Sequence, residues 1–316
     1  MASHILGIHH VTALCGPAQE NVDFYTGVLG LRLVKVTVNY DDPTAYHLYY
    51  GDGVGTPGSL LSFFPYPNGY PGRPGRGQAT VTSLRVPPGS LPAWTERFRE
   101  YEVDFDRITN RLGVHAIPFR APDGLQFELV SAPDYVAGAA WNRAPVGREM
   151  AISGVRGVTL SVGDLNPTER VLVDLLGFRK TDERDNRRRY EVAQGGSGRC
   201  IDVLVEPTGP EGRQGHGNIH HVAFRVPGEP EQLEVRNELV AREFAVSDVM
   251  DRTYFKSIYF REPGGVVFEI ATDVPGFTVD ESPSDLGSHL CLPKKLELRR
   301  GQVERALPKL KLPEPV

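Results

Sequence analysis

Cysteine is scarce in this chain: Cys15, Cys200 and Cys291 are all there is in 316 residues. An odd number of widely separated thiols excludes a disulfide framework, and the lack of any Cys-x-x-Cys pair excludes a zinc ribbon. Each reads as a small buried hydrophobe in a reducing compartment. Charge of one sign is lacking too. A net charge of -5 offers no basic surface for nucleic acid or an anionic membrane. No apolar run approaches the roughly 18 residues that span a bilayer. The opening Met-Ala-Ser-His-Ile-Leu-Gly has no basic segment leading into an apolar one, so no secretory signal is expected and a cytoplasmic location is. What remains is an ordinary globular composition, 40% hydrophobic and 24% charged. It is long enough for two domains or two tightly paired halves.

What the chain does have is repetition. Residues 119–128 read F-R-x-P-x-G-x-x-F-E, and so do residues 260–269. Each is an alternating strand, a Pro/Gly turn and a second alternating strand, which predicts a hairpin. Upstream, Leu84-Arg-Val-Pro87 matches Phe224-Arg-Val-Pro227. A second pair of segments, Gly27 to Arg32 and Val173 to Arg179, predicts helices ending at Gly30 and Gly177, the residue type that caps a helix in the left-handed conformation. About twenty residues before these glycines lie the opening strands Ile8–Leu14 and Val155–Ser161. The helices between them, Ala18–Leu29 and Thr168–Leu176, carry apolar stripes at Val22, Tyr25, Leu29 and at Val171, Leu172, Leu175.

The chain therefore reads as an α+β protein of four βαβββ modules, at about 7–65, 78–132, 152–206 and 217–273. The expected domains are 1–135 and 152–273, joined by a linker from Pro133 to Met150. A tail, 274–316, with a short basic helix around Lys295 to Leu307, is expected to pack on them.

Four such modules, with His9-His10-Val11 and His220-His221-Val222 in opening strands and Phe268-Glu269-Ile270 in a closing strand, resemble the vicinal-oxygen-chelate superfamily. Its members include glyoxalases, fosfomycin-resistance proteins and extradiol ring-cleaving dioxygenases. The resemblance covers residues 7–273. Residues 275–281 and Leu292-Pro293 extend it to the hydroquinone-type ring-cleaving dioxygenases, such as chlorohydroquinone dioxygenase. It implies that modules pair, that each curls into half a barrel, and that metal ligands project inward from first and last strands.

Aligned on that basis, the opening-strand positions are His10, Val81, Gly157 and His221. The closing-strand positions fall near Phe63, at Glu128, near Leu204 and at Glu269. Modules two and three then supply only Glu128, whereas one and four supply His10, His221 and Glu269 with an apolar residue at the fourth place. Pairing the modules in sequence order would split the histidines, so the residues favour a 1+4 barrel backed by a 2+3 barrel. Two imidazoles and a carboxylate with open positions form the facial triad of non-haem Fe(II) oxygenases. A glyoxalase-type site would want a fourth protein ligand.

A lone histidine on a strand is ordinarily a satisfied core residue; two matched copies beside a matched glutamate point to metal instead. Strand alternation lets only one of His9/His10 and one of His220/His221 face a given pocket. The resemblance puts His10 and His221 on the metal, and places His9, Thr12, His220, Arg252 and Tyr259 near the substrate. His9 and His220 could equally be surface residues, and Arg252 could be a surface ion pair with Asp248 or Asp251. Glu128 reads as a turn-facing structural acid, Gly51–Gly55 as a hairpin turn and Asn186–Arg189 as a solvated turn. His47, His115, His216 and His289 have no matched partners. The resemblance implies an Fe(II)-dependent ring-cleaving dioxygenase, with Mn(II) as the alternative ion, O2 as co-substrate and a small hydroquinone- or catechol-like aromatic as substrate. A homo-oligomer is compatible with such a chain; a nucleic-acid or membrane partner is not expected. Rival readings are a glyoxalase-type isomerase or lyase, and a quinone- or drug-sequestering binding protein of the same fold.

Overall fold

The computed structural model describes residues 4–136, 141 and 143–313. Among these residues, sixteen strands form two curled sheets of eight. The first contains β1 (Gly7–Cys15), β2 (Arg32–Val38), β3 (Tyr46–Gly51) and β4 (Leu60–Pro65), with β13 (Asn218–Val226), β14 (Met250–Asp251), β15 (Lys256–Arg261) and β16 (Val267–Thr272). Its order is β14-β15-β16-β13-β1-β4-β3-β2. The second holds β5 (Gln78–Val86), β6 (Thr109–Arg111), β7 (Val114–Arg120), β8 (Gln126–Ser131), β9 (Val155–Val162), β10 (Arg179–Arg184), β11 (Arg187–Glu191) and β12 (Cys200–Val205). Module one is thus joined to module four through the antiparallel β1–β13 pair, and module two to module three through β5–β9. That is the expected 1+4 and 2+3 pairing.

The central strands are buried on both faces, which is why β1 and β13 read as nearly continuous apolar and histidine runs rather than alternating ones. Each of the two predicted first helices changes pitch midway. Helix α1 (Ala18–Val22) runs into a wider turn over Asp23–Val28, and α3 (Leu165–Arg170) into one over Val171–Leu175. Bonds five residues apart mark both: Leu29 N–H donates to Phe24 O and Leu176 N–H to Val171 O. Gly30 and Gly177 follow with φ of 69° and 71°, as their left-handed role requires. Helices α2 (Leu91–Glu100) and α4 (Glu229–Ala241) are regular; α4 packs on β13, β15 and β16.

Asp52 organises the Gly51–Gly55 turn as expected of a hairpin, its Oδ1 accepting from the amides of Val54, Gly55 and Thr56. The Asn186–Arg189 segment differs from expectation. The turn is confined to Asp185–Asn186, and Arg187 and Arg189 belong to β11, where both pair with Asp202. Burial of that carboxylate draws the guanidinium groups inside.

The tail packs on the first sheet. Cys291 N–H donates to Val36 O at the β2 edge, and Phe277 and Leu286 bury among Val34, Tyr49 and Tyr254. The expected basic helix is two short ones, α5 (Lys294–Glu297) and α6 (Arg300–Ala306). Lys35, fully buried, anchors the strap: its Nζ donates to Asp280 at 2.6 Å and to Glu281, and lies 4.8 Å over the Tyr254 ring. Part of the expected linker, 137–140 and 142, and the tail residues 314–316 lie outside the described residues. Among the described residues, no helix is long and apolar enough to cross a membrane.

Candidate metal centre

His10, His221 and Glu269 meet inside the 1+4 half-barrel, all of them buried. His10 Nε2 lies 3.3 Å from His221 Nε2 and 3.3 Å from Glu269 Oε2, and His221 Nε2 lies 2.8 Å from the same oxygen. The β1–β13 register makes this possible by setting Thr12 opposite His221 and His10 opposite Ala223, so the two imidazoles sit diagonally on neighbouring strands. Glu269 joins from β16, which runs parallel to β13.

The adjacent histidines are not dismissed by strand alternation, because each occupies a bulge. In the β1–β13 ladder the register skips His9, between Ile8 and His10, and skips His220, between His221 and Ile219. A bulge re-aims a side chain. His9 Nδ1 thereby reaches within 2.9 Å of His10 Nδ1, and His220 Nδ1 within 2.8 Å of His221 Nδ1. His9 is buried against Phe255, whereas His220 keeps an exposed edge. With Nδ1 of each inner histidine engaged by its neighbour, Nε2 is the atom left for the centre of the cluster. Burial also lowers the pKa of the His221 ring, against the pull of Glu269, so it is neutral near pH 7. For Glu269 burial alone would raise the carboxyl; the two imidazoles override it and hold it well below the ordinary carboxylate range. Neutral imidazole and ionised carboxylate are the states in which these groups bind a metal.

Glu269 Oε1 accepts from Ser257 Oγ at 2.5 Å, while Oε2 is buried with no hydrogen-bond partner among the described residues. An orphaned carboxylate oxygen facing two ring nitrogens is costly unless a cation takes the place of the missing donors.

A narrow cleft opens beside the cluster, lined by His10, His221, Arg252, Tyr259 and the rings of Tyr49, Phe64 and Phe255. The Tyr259 ring stands edge-on to His221 at 5.5 Å, and the Arg252 guanidinium lies 5.5 Å from the Tyr259 centroid. Arg252 pairs with neither Asp248 nor Asp251. Its partner is Asp41, 3.3 Å away across the cleft mouth, and Arg236 takes Asp248. Thr12 is fully buried, its Oγ1 2.7 Å from Ser62 Oγ, beneath the cleft rather than on its wall. His47, which no motif singled out, is on the wall, packed at a tilt against Tyr49 and Phe64. Its signal in the sequence was only its place in the strand before Ser62.

Two closing-strand positions need correction. The ladders pair Thr12 with Ser62, Ser83 with Glu128, Thr159 with Asp202 and Ala223 with Glu269. The residue matching Glu269 in module one is therefore Ser62, not an apolar neighbour of Phe63. In module three it is Asp202, not a residue near Leu204. Modules two and three thus offer two carboxylates, and Glu128 faces inward from β8 instead of sitting at a turn. No imidazole accompanies them. Glu128 accepts from Ser83 Oγ and from Arg111 at 3.1 Å, and Asp202 from Arg187 at 3.2 Å and Arg189 at 2.8 Å. Guanidinium groups hold the positions that a cation would need.

A second group, Glu281, His289 and Cys291, also brings potential ligand atoms within 4.8 Å of one another. The Lys35 ammonium already engages Glu281 there, and its charge opposes a metal ion.

The fold agrees with the relatives of this chain. A ring-cleaving dioxygenase, so named provisionally, MhqO of Bacillus subtilis, is 41% identical over 97% of each chain. The chlorohydroquinone/hydroquinone 1,2-dioxygenase of Sphingobium indicum is 32% identical, again over 97% of each chain. The crystal structure of a Bacillus subtilis protein provisionally described as a dioxygenase superposes with a TM-score of 0.94 at 39% identity, over 99% of this chain and 100% of that one. The profile of the glyoxalase/bleomycin resistance protein/dioxygenase superfamily matches residues 7–129 and 154–270. With the module pairing and full-length relatives in agreement, this chain belongs to that superfamily.

Proposed function

We propose that this chain is an Fe(II)-dependent dioxygenase that opens the ring of a hydroquinone- or catechol-type aromatic, with His10, His221 and Glu269 as the metal ligands. The observation that carries this reading is the convergence of two imidazole Nε2 atoms, at 3.3 and 2.8 Å, on one buried carboxylate oxygen. The donor set fits: two imidazole nitrogens and one carboxylate form the triad that leaves sites open for substrate and O2. Mn(II) is the alternative ion for the same set. When bound, such an ion supplies Lewis acidity toward a ring hydroxyl and the one-electron exchange that O2 needs to react with an aromatic. The names of the full-length relatives support the substrate class.

The chain's own residues do the rest. Phe64 and Phe255 offer apolar walls to a flat ring, and Asp41 holds Arg252 at the mouth, where its permanent charge favours a phenolate over a phenol. Burial, and then the charge on Glu269, raise the Tyr259 hydroxyl far above its usual range, so it keeps its proton and presents a donor. A donor fixed beside the ligands stabilises negative charge as it develops on an oxygen, at no cost in reorganisation. His9 and His220 act through Nδ1 by orienting the rings of His10 and His221.

The test is anaerobic loading with Fe(II), followed by O2 uptake with methylhydroquinone and with catechol, and identification of the ring-opened product. Metal binding without O2 consumption on any dihydroxybenzene would move the reading to a glyoxalase-type isomerase or lyase. Absence of metal binding would move it to a sequestering protein.

A further inference from the structure

Ser62 stands where a second carboxylate would complete a symmetric, four-ligand centre. In the β1–β4 ladder Thr12 pairs with Ser62, as Ala223 pairs with Glu269 in the β13–β16 ladder. His10 and His221 each lie two residues before Thr12 and Ala223, on the same face of their strands. The two modules thus present a His-plus-Ser set and a His-plus-Glu set to one centre. Ser62 is fully buried and is held from two sides: its Oγ lies 2.7 Å from Thr12 Oγ1 and 3.0 Å from His47 Nε2. His47 is held in turn. Its Nδ1 is 2.9 Å from the Tyr49 hydroxyl, and its ring packs at a tilt 4.1 Å from Tyr49 and 4.2 Å from Phe64.

The buried Tyr49 phenol, its pKa raised first by burial, keeps its proton, and in the tautomer that matches the proposal it donates to His47 Nδ1. A neutral imidazole has one donor left, at Nε2, and it goes to Ser62 Oγ. Of the two hydroxyl protons on Ser62 and Thr12, one lies between their oxygens and the other points away from that contact. Both nitrogens of His47 are spent inside the wall, so His47 acts on position 62 and not on substrate.

We propose that Ser62 decides which class of chemistry this centre runs: fixed by Thr12 and His47, it withholds the fourth protein ligand, and His47 is its positioning residue. The proposal rests on the metal reading above. A short hydroxyl already engaged by two partners leaves a coordination position to exchangeable ligands, whereas a carboxylate in its place would reach the ion as Glu269 does from the matching position.

Mn2+ is the probe, because its binding and bound water can be read without turnover. Ser62→Glu, with Ser62→Glu/His47→Ala as a second variant that frees the volume of the imidazole, should tighten Mn2+ by about 10-fold or more. Either should also lose one rapidly exchanging bound water by 17O relaxation. Ser62→Ala should bind Mn2+ about as tightly as wild type, as expected of a residue that is neither a ligand nor hydrogen-bonded to one. His47→Ala should change the Mn2+ electron paramagnetic resonance line shape at full metal content, and His47→Gln, which can still donate to Ser62, should restore it. If wild type binds Mn2+ but neither glutamate variant gains affinity or loses a water, the inference about Ser62 is overturned alone. Loss of binding in Ser62→Ala overturns it as well, by making Ser62 a ligand. An unchanged line shape in His47→Ala removes the positioning role. If wild type binds no Mn2+ or Fe2+, the metal reading falls, and this inference with it.

Discussion

Tyr259 lies directly opposite Glu269 in the antiparallel β15–β16 ladder, so the phenol and the carboxylate project from the same face of the sheet. Its ring meets the edge of His221 at 5.5 Å. A protonated phenol is thereby held beside the proposed ligands. Tyr259→Phe keeps the ring and removes one donor. On the proposed function, kcat should fall roughly 10²-fold, with KM changing far less, because ring packing and ligation dominate ground-state binding. Arg252→Ala should harm both constants, since its charge acts on bound anion and transition state alike. Steady-state O2 uptake separates the two patterns, and full activity in Tyr259→Phe would remove the donor role.

His10→Ala, His221→Ala and Glu269→Ala should each lose most bound metal, whereas Glu128→Ala, whose carboxylate is committed to Ser83 and Arg111, should not. Metal content after Fe(II) loading and desalting checks this. Normal occupancy in all three ligand variants would refute the triad.

Lys35 is fully buried against Asp280 and Glu281. Lys35→Met leaves those carboxylates without their cation, and breaking a buried pair from one side costs about 3–5 kcal/mol. The urea midpoint should drop accordingly, and Lys35→Met/Glu281→Leu should recover part of the loss. A midpoint unchanged in the single variant would show that the strap does not depend on this ion pair.

Asp202 should govern part of the acid stability of the 2+3 barrel. Burial pushes its carboxyl up, but Arg189 and then Arg187 outweigh burial and leave it below its ordinary 3.8. A depressed folded-state pKa gives stability that is present above the unfolded value and lost as pH falls through the folded one. Asp202→Asn should therefore destabilise the protein at pH 7. The gap from wild type should close below about pH 4. Denaturant midpoints from pH 7 to pH 2 test this, and a gap independent of pH would contradict it.

The repeats made much of this protein legible. Matched F-R-x-P-x-G-x-x-F-E segments and helix-ending glycines are local signals, set by turn geometry and strand period. They were enough to place the modules. The 1+4 pairing was legible for a chemical reason, since only that pairing gathers two histidines and a glutamate into one barrel. Identity at the closing strands was less legible. Strands β4 and β12 lack the motif carried by β8 and β16, so Ser62 and Asp202 were found only from the ladder register.

Residue types at repeated positions therefore determined the fold, the module pairing and the candidate metal ligands before any coordinates. Only the tertiary structure decided the surroundings. Bulges at His9 and His220 turn side chains that strict alternation would send away, and a bulge is a mismatch between two strands far apart in sequence. Arg252 pairs with Asp41, 211 residues away, rather than with its neighbours, because the β2–β3 loop closes over β14. His47 joins the cleft wall, and Lys35 fastens the tail, for the same reason. A partner chosen by packing across hundreds of residues leaves no mark in local sequence, whereas a ligand repeated at the same place in related modules does.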